Sequence, residues 1–307
     1  MPRTATEPRR APPASPGTLG AATWLTVAEQ LRRLRGYRSA VLAGRDPEDL
    51  HQLRVALRRL RAALELGHEA LDLPAEASAD RLKTLTRAMG RLRDLDVALE
   101  LTEPLVPVAK GDEGPALDRI RSELSRRRRA TTKAVRRTLR SPTLVATLKA
   151  LRQWVRSPEF HPAGFRSLHQ ATAGALADAE AELRANPLWS QPRPNRRLSA
   201  RDSEALHALR KEARRLRYLL EILARSRGET VQPALDHLHR VQDALGALQD
   251  LATAERIIEL IDPEATAAAA RLIRRRMSRQ RAETLATWEA LRLLGYSGTV
   301  STAVAEA

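Results

Sequence analysis

Residues 50–65, LHQLRVALRRLRAALE, and residues 206–221, LHALRKEARRLRYLLE, are two copies of one basic helical segment. Sliding the chain by 156 residues superposes His51 on His207, Arg54 on Arg210, Arg58 and Arg59 on Arg214 and Arg215, and Arg61 on Arg217. The same shift, without a gap, carries Gly90 onto Gly246 and Asp94-Leu95 onto Asp250-Leu251. Over positions 50–95 there are 17 identities in 46 pairs, ten of them in the first 16 positions, so the unit is duplicated.

The spacing says what the duplicated helix does. With His51 at zero and 100° per residue, Leu50, Leu53, Leu57, Leu60 and Leu64 fall between about 180° and 260°. His51, Arg54, Arg58 and Arg61 fall in the adjoining sector, between about 280° and 360°. The apolar stripe must face a helical bundle, and a ladder of like charges runs directly beside it. His207, Arg210, Arg214 and Arg217 repeat the ladder against Leu206, Leu209, Ala213, Leu216 and Leu220. A solvated helix face would mix signs, whereas cations stacked at i, i+4 and i+7 repel unless an anion lies across them.

Around these segments the pattern is helical from about Trp24, rich in Leu, Ala, Arg and Glu. Gly and Pro breaks divide it into short helices that must bury their stripes in bundles. The expected fold is therefore all-α: two pseudo-symmetric antiparallel helical bundles packed around a basic central groove or pore. Residues 1–18 read as a disordered Pro-rich tail, 19–297 as the helical domain and 298–307 as a C-terminal tail. Within the domain, 19–185 is expected to form one half, 186–200 the linker and 201–297 the other half. Two more basic rows follow the repeat units, Arg126, Arg129, Lys133, Arg136, Arg137 and Arg140 in one and Arg271, Arg274, Arg275 and Arg281 in the other. With the first two ladders they are expected to line the groove.

Composition narrows the chemistry. The 307-residue chain carries a net charge of +16, and only five of its 53 basic residues are Lys. Arginine's planar fork matches phosphate oxygens bidentately, which suits a polyanion. Cysteine is absent, which excludes thiolate metal sites and a Cys nucleophile. Neither a signal peptide nor a run of 18 apolar residues is present, so a cytoplasmic protein without membrane contact is expected. Nine aromatic residues offer few platforms for stacking single-stranded nucleic acid.

The motif HxLRVxxRRLRxxLE, followed by Gly90-x3-Asp94-Leu95-Asp96, resembles the CHAD family, the conserved histidine α-helical domain. The copy at 206–221 with LGALQDL is similar to that family's downstream repeat, and the resemblance covers about residues 24–296. It implies a helical bundle pair around a basic channel that binds inorganic polyphosphate and associates with polyphosphate granules. On matching positions it implicates His51, Arg54, Arg58, Arg61, His207, Arg210, Arg214 and Arg217, with weaker cases for Lys83, Lys211, Arg129, Lys133, Arg136, Arg137, Arg274 and Arg275. Some relatives carry an N-terminal CYTH-type domain. No ExExK signature marks one here, so phosphatase chemistry is not carried over.

Other readings stay beside this one. His51 and His207 have no second His or carboxylate at i+3 or i+4, which argues against a metal and leaves structural hydrogen bonding or phosphate contact. Asp94, Asp96 and Asp250 are expected to orient arginines rather than hold a metal. Gly90 and Gly246, inside helical pattern, are expected to mark close helix–helix approach. No catalytic residue and no cofactor is expected. The function read from the residues is non-catalytic polyphosphate binding; a nucleic-acid-binding protein is the alternative, and a metal-dependent polyphosphate hydrolase ranks lower.

Overall fold

The computed structural model describes residues 9–10, 17–43, 47–190, 200–227 and 231–293. It is built from helices α1 (Leu19–Ala43), α2 (Pro47–Leu66), α3 (Lys83–Thr102), α4 (Glu113–Leu139) and α5 (Pro142–Arg156), followed by α6 (Leu168–Ala185), α7 (Pro187–Ser190), α8 (Ala200–Arg227), α9 (Gln232–Ile261) and α10 (Pro263–Leu293). Short 3-10 turns join several of them. The breaks read from Pro and Gly mark real helix ends. Ser141 caps α5 by accepting a hydrogen bond from the Leu144 N–H at 3.3 Å, with Pro142 at the first helical position. Asp262 does the same for α10 through the Ala265 N–H at 2.9 Å. Gly111 takes φ +54° in the turn before α4.

The duplication appears as repeated packing. α1 packs on α2 as α6 packs on α8, and α3 packs on α4 as α9 packs on α10. The two units meet through α3 on α9 and α4 on α10. One apolar cluster is shared between them, with Leu95, Leu101, Leu117 and Leu124 from the first unit and Leu251, Ile258, Ile273 and Met277 from the second. Leu53, Leu57, Leu60 and Leu64 on α2 are buried as the wheel requires, and so are Leu206, Leu209, Leu216 and Leu220 on α8.

The division of the chain differs from the expected one. Since α6 is to α8 what α1 is to α2, the second unit begins at α6, and its Leu183 packs with Leu206 and Leu209. The segment following α5, not 186–200, joins the units. Part of the expected linker, 191–199, lies outside the described residues, as do 298–307 and most of the N-terminal tail. Two pieces of that tail have partners. Arg9–Arg10 forms a two-residue antiparallel strand with Glu159–Phe160, and the Gly17 carbonyl accepts from the Leu168 N–H at 2.7 Å.

The tryptophans anchor the cores. Trp154 meets Phe160 edge-on with ring centroids 6.0 Å apart, and Trp189 meets Trp288 at 5.4 Å. The expected reason for Gly90 and Gly246 is overturned: a Cβ added at either would meet nothing within 4 Å. Close approach occurs instead at Gly20, Gly67 and Gly164, where an added Cβ would stand under 3.0 Å from a neighbouring atom.

Candidate polyanion-binding site

On α2 and α8 the basic sector adjoins the buried one, so the guanidinium groups rise from the floor of the bundle into the space between the helices. There they line one cleft of about 400 Å³. His51, Arg54 and Arg58 enter it from α2, and Arg210, Arg214 and Arg217 from α8. Arg93 from α3 and Arg276 from α10 complete the cationic wall. Against these seven arginines stand three carboxylates, Glu100, Asp243 and Asp250. The excess of four positive charges sits in a space that narrows solvent access and so weakens screening.

Residues related by the duplication face each other. Arg54 feels the charge of Arg210, and Arg214 that of Arg58. Burial pushes the Arg54 guanidinium down to about 10, and its neighbours Arg58 and Arg93 add to the effect, while Asp250 opposes it. Arg214 is likewise pushed down to about 10 by burial and then by Arg210. Burial also lowers Arg210 and Arg217. All remain charged near neutral pH. Burial is the larger cause and the neighbouring arginines add to it; Arg54, Arg58, Arg210, Arg214 and Arg276 form no ion pair among the described residues. The Nε of Arg58 and that of Arg276 are buried without a hydrogen bond. Arg217, only 5% exposed, has Glu221 at 3.6 Å, and its Nε and Nη2 make no hydrogen bond either. Such donors are costly unless an acceptor arrives.

The carboxylates hold and space the cations. Glu100 accepts from Arg93 at 3.1 Å, and Asp250 stands 3.8 Å from the same guanidinium. Asp96 accepts from Arg128 at 2.5 Å. Asp94 is raised by burial first and then by Asp250, with Arg54, Arg256 and Arg210 pulling it back. Glu221 ties α8 to α2 through Arg59 at 3.1 Å and also lies 3.6 Å from His239. His51, at the mouth, is lowered by burial and then by Arg54, so its imidazole is neutral at pH 7.

Several residues named from the sequence stand elsewhere. Arg61 pairs with Glu65 at 2.5 Å and Lys83 with Asp80 at 2.6 Å, both away from the cleft. His207 and Lys211 are exposed on α8 and do not line the cleft. Arg129, Lys133 and Arg137 on α4 and Arg274 and Arg275 on α10 face solvent, and half-buried Arg136 is not part of the cleft. Four ladders therefore do not converge; two do. The angular reason is simple. With Arg126 at zero, the basic row of α4 centres near 330°, while the buried Leu117, Leu124, Val135 and Leu139 centre near 180°, almost opposite. Of the missed lining residues, Arg93 aligns with Gln249 and Arg276 lies beyond the aligned repeat, so identity between copies did not mark them. Gly246 lines the cleft, and its missing side chain leaves that space open.

The fold and site define a duplicated all-α protein with an arginine-lined cleft between its two units. The sequence matches the family described as "CHAD domain" over residues 26–259, and the chain belongs to that family. Its fold is similar to the crystal structure of the CHAD domain from the plant Ricinus communis, with a TM-score of 0.69 and 23% identity over 95% of this chain and 99% of that one. It is also similar to PptA from Streptomyces chartreusis, with a TM-score of 0.60 and 22% identity over 94% and 98% of the two chains. A search of curated protein sequences returned no match.

Proposed function

We propose that this protein binds inorganic polyphosphate in the cleft between α2 and α8, without turning it over. The observation that carries the reading is the convergence of Arg54, Arg58, Arg210 and Arg214 from both repeats, with no carboxylate paired to any of them among the described residues. A uniform chain of phosphates needs many interchangeable cationic contacts and no base-reading groups, and these residues supply them.

Binding without turnover fits the carboxylates in the cleft. Phosphoryl transfer calls for carboxylates that hold metal against the phosphates, while two of the three here, Glu100 and Asp250, lie against Arg93. Release of orthophosphate with Mg²⁺ or Mn²⁺ would overturn that part. Association with polyphosphate granules in the cytoplasm belongs to the same reading, and co-localisation of a fluorescent fusion checks it. No helix among the described residues is long and apolar enough to cross a membrane.

The deciding experiment is a titration with polyphosphates of graded length at several salt concentrations, using wild type and the double variant Arg54→Glu/Arg210→Glu. Wild-type affinity is expected to rise with chain length and fall steeply with salt. The variant should lose about 100-fold or more in affinity while keeping its helicity. Unchanged affinity in that variant refutes the proposal.

A further inference from the structure

The cations excluded from the cleft form a surface of their own. From residue 124 to residue 158 the chain has no Asp or Glu, although 37 acidic residues in 307 would place about four there, and it has 11 Arg and Lys. This stretch is the C-terminal half of α4, the turn at Ser141 and α5. Arg126 and Arg127 are held by Glu123, and Arg128 by Asp96. Beyond them exposed Arg129, Lys133 and Arg137 on α4 and Arg140 at its C-terminal cap follow one another with no carboxylate partner among the described residues. They rise on the side of the helix opposite its buried residues, over a length of about 16 Å. Past the turn, α5 carries exposed Arg152 and Arg156. From α1, Arg38 donates its Nε to the Leu139 carbonyl at 2.9 Å, so it too brings positive charge to this end of the row.

We propose that this row is a second anion surface, distinct from the cleft, that docks duplex nucleic acid without sequence preference. Shape selects the ligand. The row is a convex ridge with no walls, so its partner must bring the groove, and the major groove of a duplex, about 12 Å wide, admits an α-helix with phosphates on either side. A single strand would look for aromatic platforms, and the only aromatic residue in the stretch, Trp154, is buried in the core. Contacts made by such a row go to phosphates, which positions the duplex without reading it. The inference does not rest on what occupies the cleft.

The test measures binding of a mixed-sequence DNA duplex and, separately, of long-chain polyphosphate across a salt series, with the whole chain. Three proteins are compared: wild type, Arg129→Glu/Lys133→Glu/Arg137→Glu, and Arg54→Glu/Arg210→Glu. Wild type is expected to bind the duplex at physiological salt. The ridge variant should lose about 100-fold in duplex affinity, its log–log salt slope should flatten by about 3, and its polyphosphate affinity should change by less than about threefold. The cleft variant should keep its duplex affinity. Absence of duplex binding by wild type, equal binding by the ridge variant, or loss of duplex binding confined to the cleft variant would each overturn the assignment. Should the reversed charges disturb helicity, Arg129→Gln/Lys133→Gln/Arg137→Gln replaces that variant, with a loss of about tenfold expected and none overturning it. Failure of polyphosphate binding in wild type would sink the reading of the cleft and leave the ridge standing.

Discussion

Replacing Arg54 by Met should make the free protein more stable, although it removes a residue assigned to the binding site. Arg54 has no hydrogen bond or ion pair among the described residues, so truncating its charge breaks nothing except an attraction to Asp250. It relieves burial of the charge and repulsion from Arg58, Arg93 and Arg210. The fall of its folded-state pKa to about 10 corresponds to about 3 kcal/mol of penalty on the charged form. The cleft opens to solvent, and screening reduces that to about 1–2 kcal/mol. For a chain of this size Tm should rise by about 2–5 °C in low-salt buffer free of phosphate, followed by circular dichroism. The folded value lies below the unfolded one, so the penalty is present in full at every pH below about 10 and is relieved only as pH rises through it. The gap between variant and wild type should therefore stay flat from about pH 6 to pH 9. It should shrink in high salt, where the arginines are screened. A variant that melts below wild type in low salt would show that Arg54 holds the fold together, and the account of the cleft as a strained, anion-seeking space would fail.

Gly246→Ala should stabilise α9 by about 1 kcal/mol, since the added methyl meets nothing within 4 Å. Gly246→Met should fill part of the cleft and weaken polyphosphate binding at a melting temperature no lower than that of wild type, which a titration beside a thermal melt checks. Polyphosphate affinity should rise as pH falls from about 7.5 to 5.5, by less than tenfold per unit, because His51 is neutral in the free cleft and a bound anion would draw a proton onto it. The variant His51→Gln should flatten that profile. Its folded pKa being lowered, the stability His51 contributes is present above its ordinary value and is lost as pH falls through the folded one. Glu221→Gln should lower stability by about 1–3 kcal/mol by leaving nearly buried Arg217 without its carboxylate and cutting the link to Arg59, with denaturant melts as the measure.

Most of the fold was legible because the duplicated segment carries its own orientation. The leucine sector of α2 and α8 had to be buried, and the adjoining arginine sector therefore had to border the packed face. The same geometry, applied to α4, places the row of Arg129, Lys133 and Arg137 opposite the buried Leu117, Leu124, Val135 and Leu139, facing solvent. Charge density drew attention to that row, but only its angle to the apolar face decides where it points. The place of Gly246 was not legible, since a helical glycine at a close contact and one at the wall of a cleft give the same letter. Nor was the role of Arg93, whose position depends on how α3 meets α9 across the two units. The unit boundary was misplaced for a related reason: Pro and Gly mark where helices stop, while only packing shows which helices belong together.

Pseudo-symmetry ties stability to binding here. When a unit is duplicated and its two copies meet face to face, a residue near the meeting surface is set against its own equivalent, so a basic residue there confronts another. Arg54 with Arg210 and Arg58 with Arg214 are such confrontations. No rearrangement within the repeat removes them, and a ligand of opposite charge does. On the proposed reading, a bound anion offsets the burial and crowding of charge that weaken the free protein, so the two should scale together. Across Arg54→Met, Arg58→Met, Arg210→Met and Arg214→Met, the gain in melting temperature without ligand should track the loss of polyphosphate affinity. Arg274→Met and Arg275→Met, whose side chains are exposed on α10, should shift neither by much. A series in which affinity falls equally for cleft and surface variants would mean that net charge, not the confrontation of the two repeats, draws the anion.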